Sequence, residues 1–267
     1  MKKSMKEISL ERKIMKLLRN KPAEMAELIF KDKEIHELQD YTNIVSIKRL
    51  GFNDHGPVHM KKSALNAITM FNLLHEEGIK FNIEKENIGT VGDSEVAVLV
   101  ASLLHDIGMT ICRENHEIFG LSITLPIIDR LLDIIYNDDM KKRVIVRSVI
   151  LEGIVGHMAT QKIHSLEAGL VLIGDGCDME KGRSRIPTLL SIEPRVGDIH
   201  RYSSSAIQKV IITKGEKKPI RINIEMSESV GFFQVEEVLF PKISYSPVKQ
   251  YIELSAGVVG QKPLRYI

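Results

Sequence analysis

The sequence predicts a mainly α-helical protein that ends in a small α/β unit built as strand, strand, helix, strand. Apolar residues recur at helical spacing through most of the first 185 positions. Aromatic residues make up only 5% of the chain and tryptophan is absent, so aliphatic side chains must build the core, which suits packed helices. After about residue 200 the sequence changes to alternating segments rich in Ile and Val, which is typical of strands.

The helical part is divided by glycine, proline and polar residues. Residues 8–48 have helical spacing, and the break at "FNDHGPVH" precedes a long helix from about 58 to 77. The segment "VGDSEVAVLVASLLHDIG" predicts a helix with Asp93 or Ser94 as its N-cap and Gly108 as its C-terminal stop. Three later segments are also predicted to be helices, the last weakened by three glycines: "NHEIFGLSITLPIIDRLLD", "DDMKKRVIVRSVILEGIVGH" and "HSLEAGLVLIGDGCDM".

The C-terminal segments predict a hairpin followed by a helix and a third strand. "AIQKVIITKG" and "PIRINIEMS" alternate on either side of a short polar turn, which is the pattern of a hairpin. "VGFFQVEEVLFPKI" predicts a short helix and "VKQYIELSAGVV" a third strand. We therefore expect a helical domain over residues 1–200, including an N-terminal helical extension, and a small α/β domain over 201–267 for dimerisation or ligand sensing.

Charge and composition narrow the class of protein. The net charge of +2 is too small to indicate a nucleic-acid or anionic-membrane partner. The two cysteines do not make a disulfide framework, which favours a reducing cytoplasm. The N-terminal segment is charged throughout, and the longest apolar stretch, 96–104, is far shorter than the roughly 20 residues that span a bilayer. We expect a cytoplasmic protein without a membrane anchor.

A set of histidines and aspartates carries the functional prediction. His105 and Asp106 end an apolar run side by side, and neither belongs in a dry core without a partner. Another histidine precedes them at position 59, two follow at 116 and 157, and aspartates 175 and 178 share one face of a later helix. Imidazole and carboxylate ligands together suit Mn, Fe, Co, Ni or Zn better than Mg²⁺. We expect one or two divalent transition-metal ions per chain.

The order of these residues resembles the HD superfamily of metal-dependent phosphohydrolases. "LLHDIGM" is similar to the family's "LLHDIGK", "NHEIFGLSI" to its histidine followed four residues on by glycine, and "LVLIGDGCDM" to its final aspartate helix. The resemblance covers roughly residues 50–185. It implies that one ion is held by His59, His105, Asp106 and Asp175. It also implies that His116 and His157 match the extra histidines of a two-metal branch, in which Asp106 bridges both ions.

The resemblance implies hydrolysis of phosphate esters in a nucleotide-like or other small phosphorylated substrate. A bound ion lowers the pKa of its water from 15.7 to about 7 and withdraws charge from a phosphoryl oxygen. The residues expected to act in catalysis are Asp106, His116, His157 and Lys62. The residues expected to contact substrate phosphate are Lys181, Arg183 and Arg185.

Several alternatives stay open at this point. His55 is either a further ligand or a residue that shapes the turn before Pro57, while His164 and Asp178 are weaker candidates for the site. Met109 stands where one branch of the family has a phosphate-contacting lysine. The signature of the cyclic-dinucleotide branch is absent, so cyclic di-GMP is not the predicted substrate.

Two other classes of function compete with hydrolysis. The helical domain could bind a nucleotide as a regulatory module without turnover. The C-terminal lysines could bind nucleic acid, but glutamates offset them and make this partner unlikely. We also expect a homo-oligomer, because the C-terminal strands can pair edge to edge across a symmetric interface.

Overall fold

The computed structural model describes residues 3–181 and 199–267, which form a mainly helical body with a four-stranded mixed sheet in its C-terminal part. The first part of the chain carries long helices and two single-turn helices, Asn82–Lys85 and His116–Phe119. They are α1 (Met5–Leu17), α2 (Asn20–Lys31), α3 (Lys33–Ile44), α4 (Pro57–Glu76), α5 (Asn82–Lys85), α6 (Val91–Leu104), α7 (His116–Phe119), α8 (Leu121–Tyr136), α9 (Met140–Gly156) and α10 (Leu166–Gly176). A π-helical turn, Val45–Arg49, extends α3, and a 3-10 turn, Ile107–Thr110, follows α6.

Helix α6 is the centre of the helical body. Every residue from Val96 to Leu104 is buried, so this run of the helix has no exposed face. A helix that is apolar on all sides must be covered on all sides. Helices α2, α4, α9 and α10 pack around it. The predicted long helix from about 58 to 77 is confirmed as α4, which starts with Pro57 in its first turn.

The predicted ends of α6 were wrong. Its N-cap is Thr90, and Asp93 is the third helical residue, whose carboxylate accepts hydrogen bonds from the Thr90 N–H and hydroxyl. This is the reciprocal arrangement of a capping box, and it starts the helix at Val91, five residues before the apolar run that begins at Val96. The helix also ends at Leu104, before Gly108. Gly108 instead lies in the 3-10 turn that follows.

Two glycines explain why the helix predicted from Asn115 onward is divided into α7 and α8. A Cβ on Gly108 would lie 1.9 Å from the carbonyl oxygen of His116 and 2.8 Å from the Cα of Gly120. Gly120 separates the two helices. The chain after α6 therefore touches the start of α7 backbone to backbone, and this contact fixes where His116 begins its helix.

The glycines of α10 serve close packing. A Cβ on Gly174 would lie 2.8 Å from the carbonyl oxygen of Ser63 and 2.9 Å from the Cβ of Ala67. Both neighbours belong to α4. The glycine therefore allows α10 to pack directly on the backbone of α4, and the two helices that carry His59 and Asp175 lie side by side.

The C-terminal part begins with α11 (Ile199–Ala206) and contains the predicted strands in the predicted order. Strands β1 (Ile207–Lys214) and β2 (Ile220–Met226) form the predicted antiparallel hairpin. Strand β3 (Ile252–Val258) is parallel to β2, and a short β4 (Leu264–Arg265), which was not predicted, pairs antiparallel with β3.

The connection between β2 and β3 is helical, as predicted, although it is not one regular helix. We call residues 229–251 the crossover segment. It runs through a 3-10 turn, an α-helical turn, a π-helical turn, a second α-helix and a last 3-10 turn: Ser229–Gly231, Phe232–Gln234, Val235–Leu239, Phe240–Tyr245 and Pro247–Tyr251. Its second α-helix and last turn pack against α10.

One hydrophobic core joins the helical and strand-bearing parts. It includes Ile173 and Cys177 at the end of α10, Leu239 and Ile243 of the crossover segment, and Ile224 of β2. The domain boundary near residue 200 stays a prediction, because the apolar core continues across it and residues 182–198 lie outside the described part. Within residues 3–181 and 199–267, no helix has both the length and the apolarity that a membrane crossing requires.

Candidate metal centre

Four helix ends bring the predicted ligands together. His59 lies in the first turn of α4, and His105 is the C-cap of α6, followed directly by Asp106. His116 is the first residue of α7, and His157 is the C-cap of α9. All five side chains are buried. Helix ends suit this role because side chains there can turn toward a common centre without opening the packed middle of each helix.

The four imidazoles are oriented alike. The Nδ1 atom of each lies within hydrogen-bond distance of an oxygen atom. The pairs are His59 with Asp178 Oδ2 at 2.7 Å, His105 with the Ser102 carbonyl at 2.9 Å, His116 with the Arg113 carbonyl at 2.9 Å and His157 with the Ile154 carbonyl at 2.6 Å. An imidazole that donates its Nδ1–H to an oxygen presents the lone pair of Nε2, which is the arrangement of a metal-ligating histidine.

The Nε2 atoms meet in two pairs. Those of His59 and His105 are 3.2 Å apart, and those of His116 and His157 are 3.0 Å apart. Two unprotonated ring nitrogens repel each other at this distance unless a proton or a cation lies between them. The geometry of both pairs therefore favours a bound positive charge.

Asp106 lies between these pairs. Its Oδ2 is 3.1 Å from Nε2 of His59 and 3.3 Å from Nε2 of His105. Its Oδ1 is 3.1 Å from Nε2 of His116 and 3.4 Å from that of His157. Oδ2 is buried and accepts no hydrogen bond from any residue that the structure describes. A buried carboxylate oxygen in this state is costly, and a cation would satisfy it.

Two groups of three buried side chains can each hold a metal ion. One group is His59, His105 and Asp106, and the other is Asp106, His116 and His157. The orphaned Asp106 oxygen and the inward lone pairs both fit such an ion. Asp106 belongs to both groups, so it can contact two cations at once.

Asp175 reaches the first group from the last turn of α10. Its Oδ1 is 3.2 Å from Nε2 of His59 and 3.8 Å from that of His105. Its Oδ2 forms an ion pair with Lys242, whose Nζ also donates to the carbonyl oxygen of His157 at 2.9 Å. The structure thus brings all six predicted ligands together and adds a lysine from the crossover segment.

The buried charges shift the pKa values of the site. Burial alone would raise the pKa of Asp106 and Asp175. The positive charge of His105 next to Asp106, and that of Lys242 next to Asp175, outweigh this effect. The pKa of each carboxyl therefore lies well below its usual range. Burial also opposes protonation of His105, yet Asp106 raises its pKa to about 9. Burial lowers the pKa of His157 to about 4. Two ionised carboxylates therefore attract positive charge to the buried centre.

The weaker candidates fall into two kinds. Asp178 contacts Nδ1 of His59 and orients that ring. The ring of His55 lies beside that of His59, tilted by 59° with 5.7 Å between the ring centroids. Its Nδ1 lies 2.6 Å from the Asn53 carbonyl oxygen, which fits the role of shaping the turn. His164 is exposed, and its backbone N–H donates to Glu152 just before α10.

The cations predicted to act in catalysis or to contact phosphate have different outcomes. Lys62 lies on α4 one turn after His59, with its Nζ 3.6 Å from Oε1 of Glu180. Lys181 is exposed, and its backbone N–H donates to the carbonyl of Ile207. Arg183 and Arg185 lie outside the described residues. None of these cations is tested as a substrate ligand by the structure.

Lys242 is the site residue that the sequence did not reveal. It lies in a segment predicted only as a short helix, 67 positions after Asp175 in the sequence. A single lysine in an amphipathic helix carries no motif. Its position at the site depends on how the crossover segment packs against α10, which sequence pattern does not specify.

Comparison with known proteins adds one relative. Over 236 residues the chain is 36% identical to the uncharacterized protein MJ1020 of Methanocaldococcus jannaschii, and the match covers 88% of this chain and 89% of the relative. No protein-family model matches the chain. No solved structure matches it either.

Proposed function

The chain belongs to the same family as the MJ1020 protein of Methanocaldococcus jannaschii, and we propose that it is a metal-dependent phosphohydrolase of the HD type. The substrate class is a nucleotide-like or other small phosphorylated molecule. The observation that carries the proposal is Asp106, a buried carboxylate with one oxygen facing each of two histidine pairs. This arrangement supports the proposal of a centre that can hold two adjacent cations.

Two sets of residues would hold the proposed ions. His59, His105 and Asp106 would hold one ion, with Asp175 close to the same histidines. Asp106, His116 and His157 would hold the other. A divalent transition metal supplies, when bound, a water of lowered pKa and positive charge beside a phosphoryl oxygen.

The remaining chemistry belongs to the chain. Asp178 and the carbonyl oxygens of Ser102, Arg113 and Ile154 accept hydrogen bonds from the imidazoles and keep each Nε2 lone pair directed inward. Burial of the ligands limits the access of bulk water, which strengthens the electrostatic interactions inside the centre. His116 and His157 lie beside Asp106, and in the proposed reaction they would lie next to the substrate phosphate.

The experiment measures metal content and hydrolysis in the same preparations. Elemental mass spectrometry should detect a transition metal in the purified protein. The same protein should hydrolyse an aryl phosphate monoester or diester. Asp106→Ala should lose both properties, because one substitution removes an oxygen from each group of ligands. The control is Asp138→Ala, which removes an exposed carboxylate.

Retained metal and activity in Asp106→Ala would reject the proposal. A nucleotide that protects the protein against heat but is never consumed would favour the regulatory-module alternative.

A further inference from the structure

We propose that Lys242 of the crossover segment is the substrate phosphate ligand of this centre, an inference that rests on the proposed function. Among the residues that the structure describes, no lysine or arginine except Lys242 lies within ion-pair distance of a candidate metal ligand. Its side chain is only 13% exposed, so the ammonium lies inside the centre and not at the protein surface.

The two acceptors of Lys242 lie in different halves of the centre. Asp175 lies next to the pair formed by His59 and His105. The other acceptor is the backbone carbonyl oxygen of His157, which pairs with His116. The ammonium therefore contacts one residue from each half of the centre. A phosphoryl group that bridges both positions would have an oxygen within reach of this cation, because two-metal centres bind the phosphate between their ions.

The ammonium also has hydrogen-bonding capacity left. A lysine ammonium has three N–H donors. Two of them are taken up by Asp175 and the His157 carbonyl, so within the described part of the chain one donor has no acceptor. A phosphoryl oxygen is the acceptor that such a donor, next to two cation sites, is suited to bind.

The fold makes room for this side chain. A Cβ on Gly176 would lie 3.1 Å from Cδ and 3.9 Å from Cβ of Lys242. The lysine stem therefore lies directly against the end of α10, and a glycine there permits the approach.

The test compares Lys242→Met with Lys249→Met in the full chain. Both variants remove one ammonium from the crossover segment, but Lys249 is exposed and makes no contact with the centre that the structure describes. Binding of Mn²⁺ and then of inorganic phosphate to the Mn²⁺-loaded protein is measured by titration calorimetry. Circular dichroism shows whether each variant is folded.

Lys242→Met should bind Mn²⁺ at least as tightly as the wild type, because Asp175 loses its competing cation. It should bind phosphate about tenfold or more weakly, a loss of about 1.4 kcal/mol. Lys242→Arg, which keeps the positive charge, should recover most of that affinity, and Lys249→Met should match the wild type.

Unchanged phosphate affinity in Lys242→Met would overturn the inference, and so would loss of Mn²⁺ binding or of folding in both Lys242 variants, since the lysine would then be structural. A wild type that binds no phosphate when loaded would overturn it as well. If phosphate binding depends on Lys242 but no phosphate ester is hydrolysed, Lys242 is a phosphate ligand of a centre without turnover, and the proposed function fails.

Discussion

The carboxylate of Asp106 and the rings around it owe their positions to hydrogen bonds on the outer side of each imidazole. Three of these bonds end on backbone carbonyl oxygens three residues earlier in the chain. The bond of His59 is different, because it ends on the side chain of Asp178, 119 positions away. His59 is therefore the candidate ligand whose orientation depends on one side chain and can be altered by a single substitution.

Asp178→Ala should weaken metal binding by about 10- to 100-fold, the range found when an acceptor behind a ligating histidine is removed. The cause is the loss of the carboxylate that accepts the Nδ1–H of His59 and holds its ring. Titration of the metal-free protein with Mn²⁺ measures the change, with the exposed Asp138→Ala as the control. An unchanged dissociation constant would show that Asp178 does not position His59.

Glu95 provides a pH-dependent test away from the metal centre. Burial raises the pKa of this carboxyl from 4.5 to about 7, although Arg19 opposes the shift. Between these two pH values the folded chain retains a proton that the unfolded chain has released. Because the folded state then binds more protons, its stability falls as pH rises from 4.5 to about 7.

Glu95→Gln should flatten this part of the profile, since a glutamine does not titrate. Urea unfolding at a series of pH values measures the effect, and Glu24→Gln on the exposed face of α2 is the control. If the wild type and Glu95→Gln change in parallel between pH 4.5 and 7, the carboxyl does not have the raised pKa.

At the scale of secondary-structure elements, the turn after α6 determines where the second histidine pair forms. Gly108→Ala should destabilise the protein by at least about 2 kcal/mol, because the new Cβ would meet backbone atoms of His116 and Gly120, which cannot rotate away. It should also weaken metal binding by displacing His116. Urea unfolding and Mn²⁺ titration measure the two effects.

Gly92→Ala is the matched control for this substitution. A Cβ there would lie 3.8 Å from the Thr90 hydroxyl oxygen, which is an ordinary van der Waals distance. Gly92 lies in α6. Alanine is favoured over glycine in a helix by about 0.5–1 kcal/mol, so this variant should be as stable as the wild type or more stable. Equal effects of the two substitutions would contradict the role given to Gly108.

The sequence predicted most elements and the histidine–aspartate set, because helical spacing and residue order are both local signals. The predicted N-cap of α6, Asp93 or Ser94, is wrong, because Thr90 caps the helix and Asp93 completes a capping box with it. The sequence could not reveal Lys242, because that residue reaches Asp175 only through the packing of the crossover segment on α10. Tertiary contacts of this kind leave no periodic pattern.

At the scale of the whole molecule, the continuous core and the ion pair between Asp175 and Lys242 join the helical and strand-bearing parts. Differential scanning calorimetry should therefore show one unfolding transition. Mn²⁺ at 100 times its dissociation constant should stabilise the chelator-treated protein by about 2.7 kcal/mol, because the ion binds only the folded chain. Two separate transitions, or no effect of Mn²⁺ on the melting temperature, would contradict this description.

The convergence of His59, His105, Asp106, His116 and His157 on a bound cation is tested most directly by anomalous diffraction from crystals grown with Mn²⁺. We expect one or two anomalous peaks within the ring of four imidazoles, each in contact with Asp106. If two are present, they should lie about 3.5–4 Å apart. A well-ordered structure with no peak there, or with Mn²⁺ only at other positions, would contradict the account.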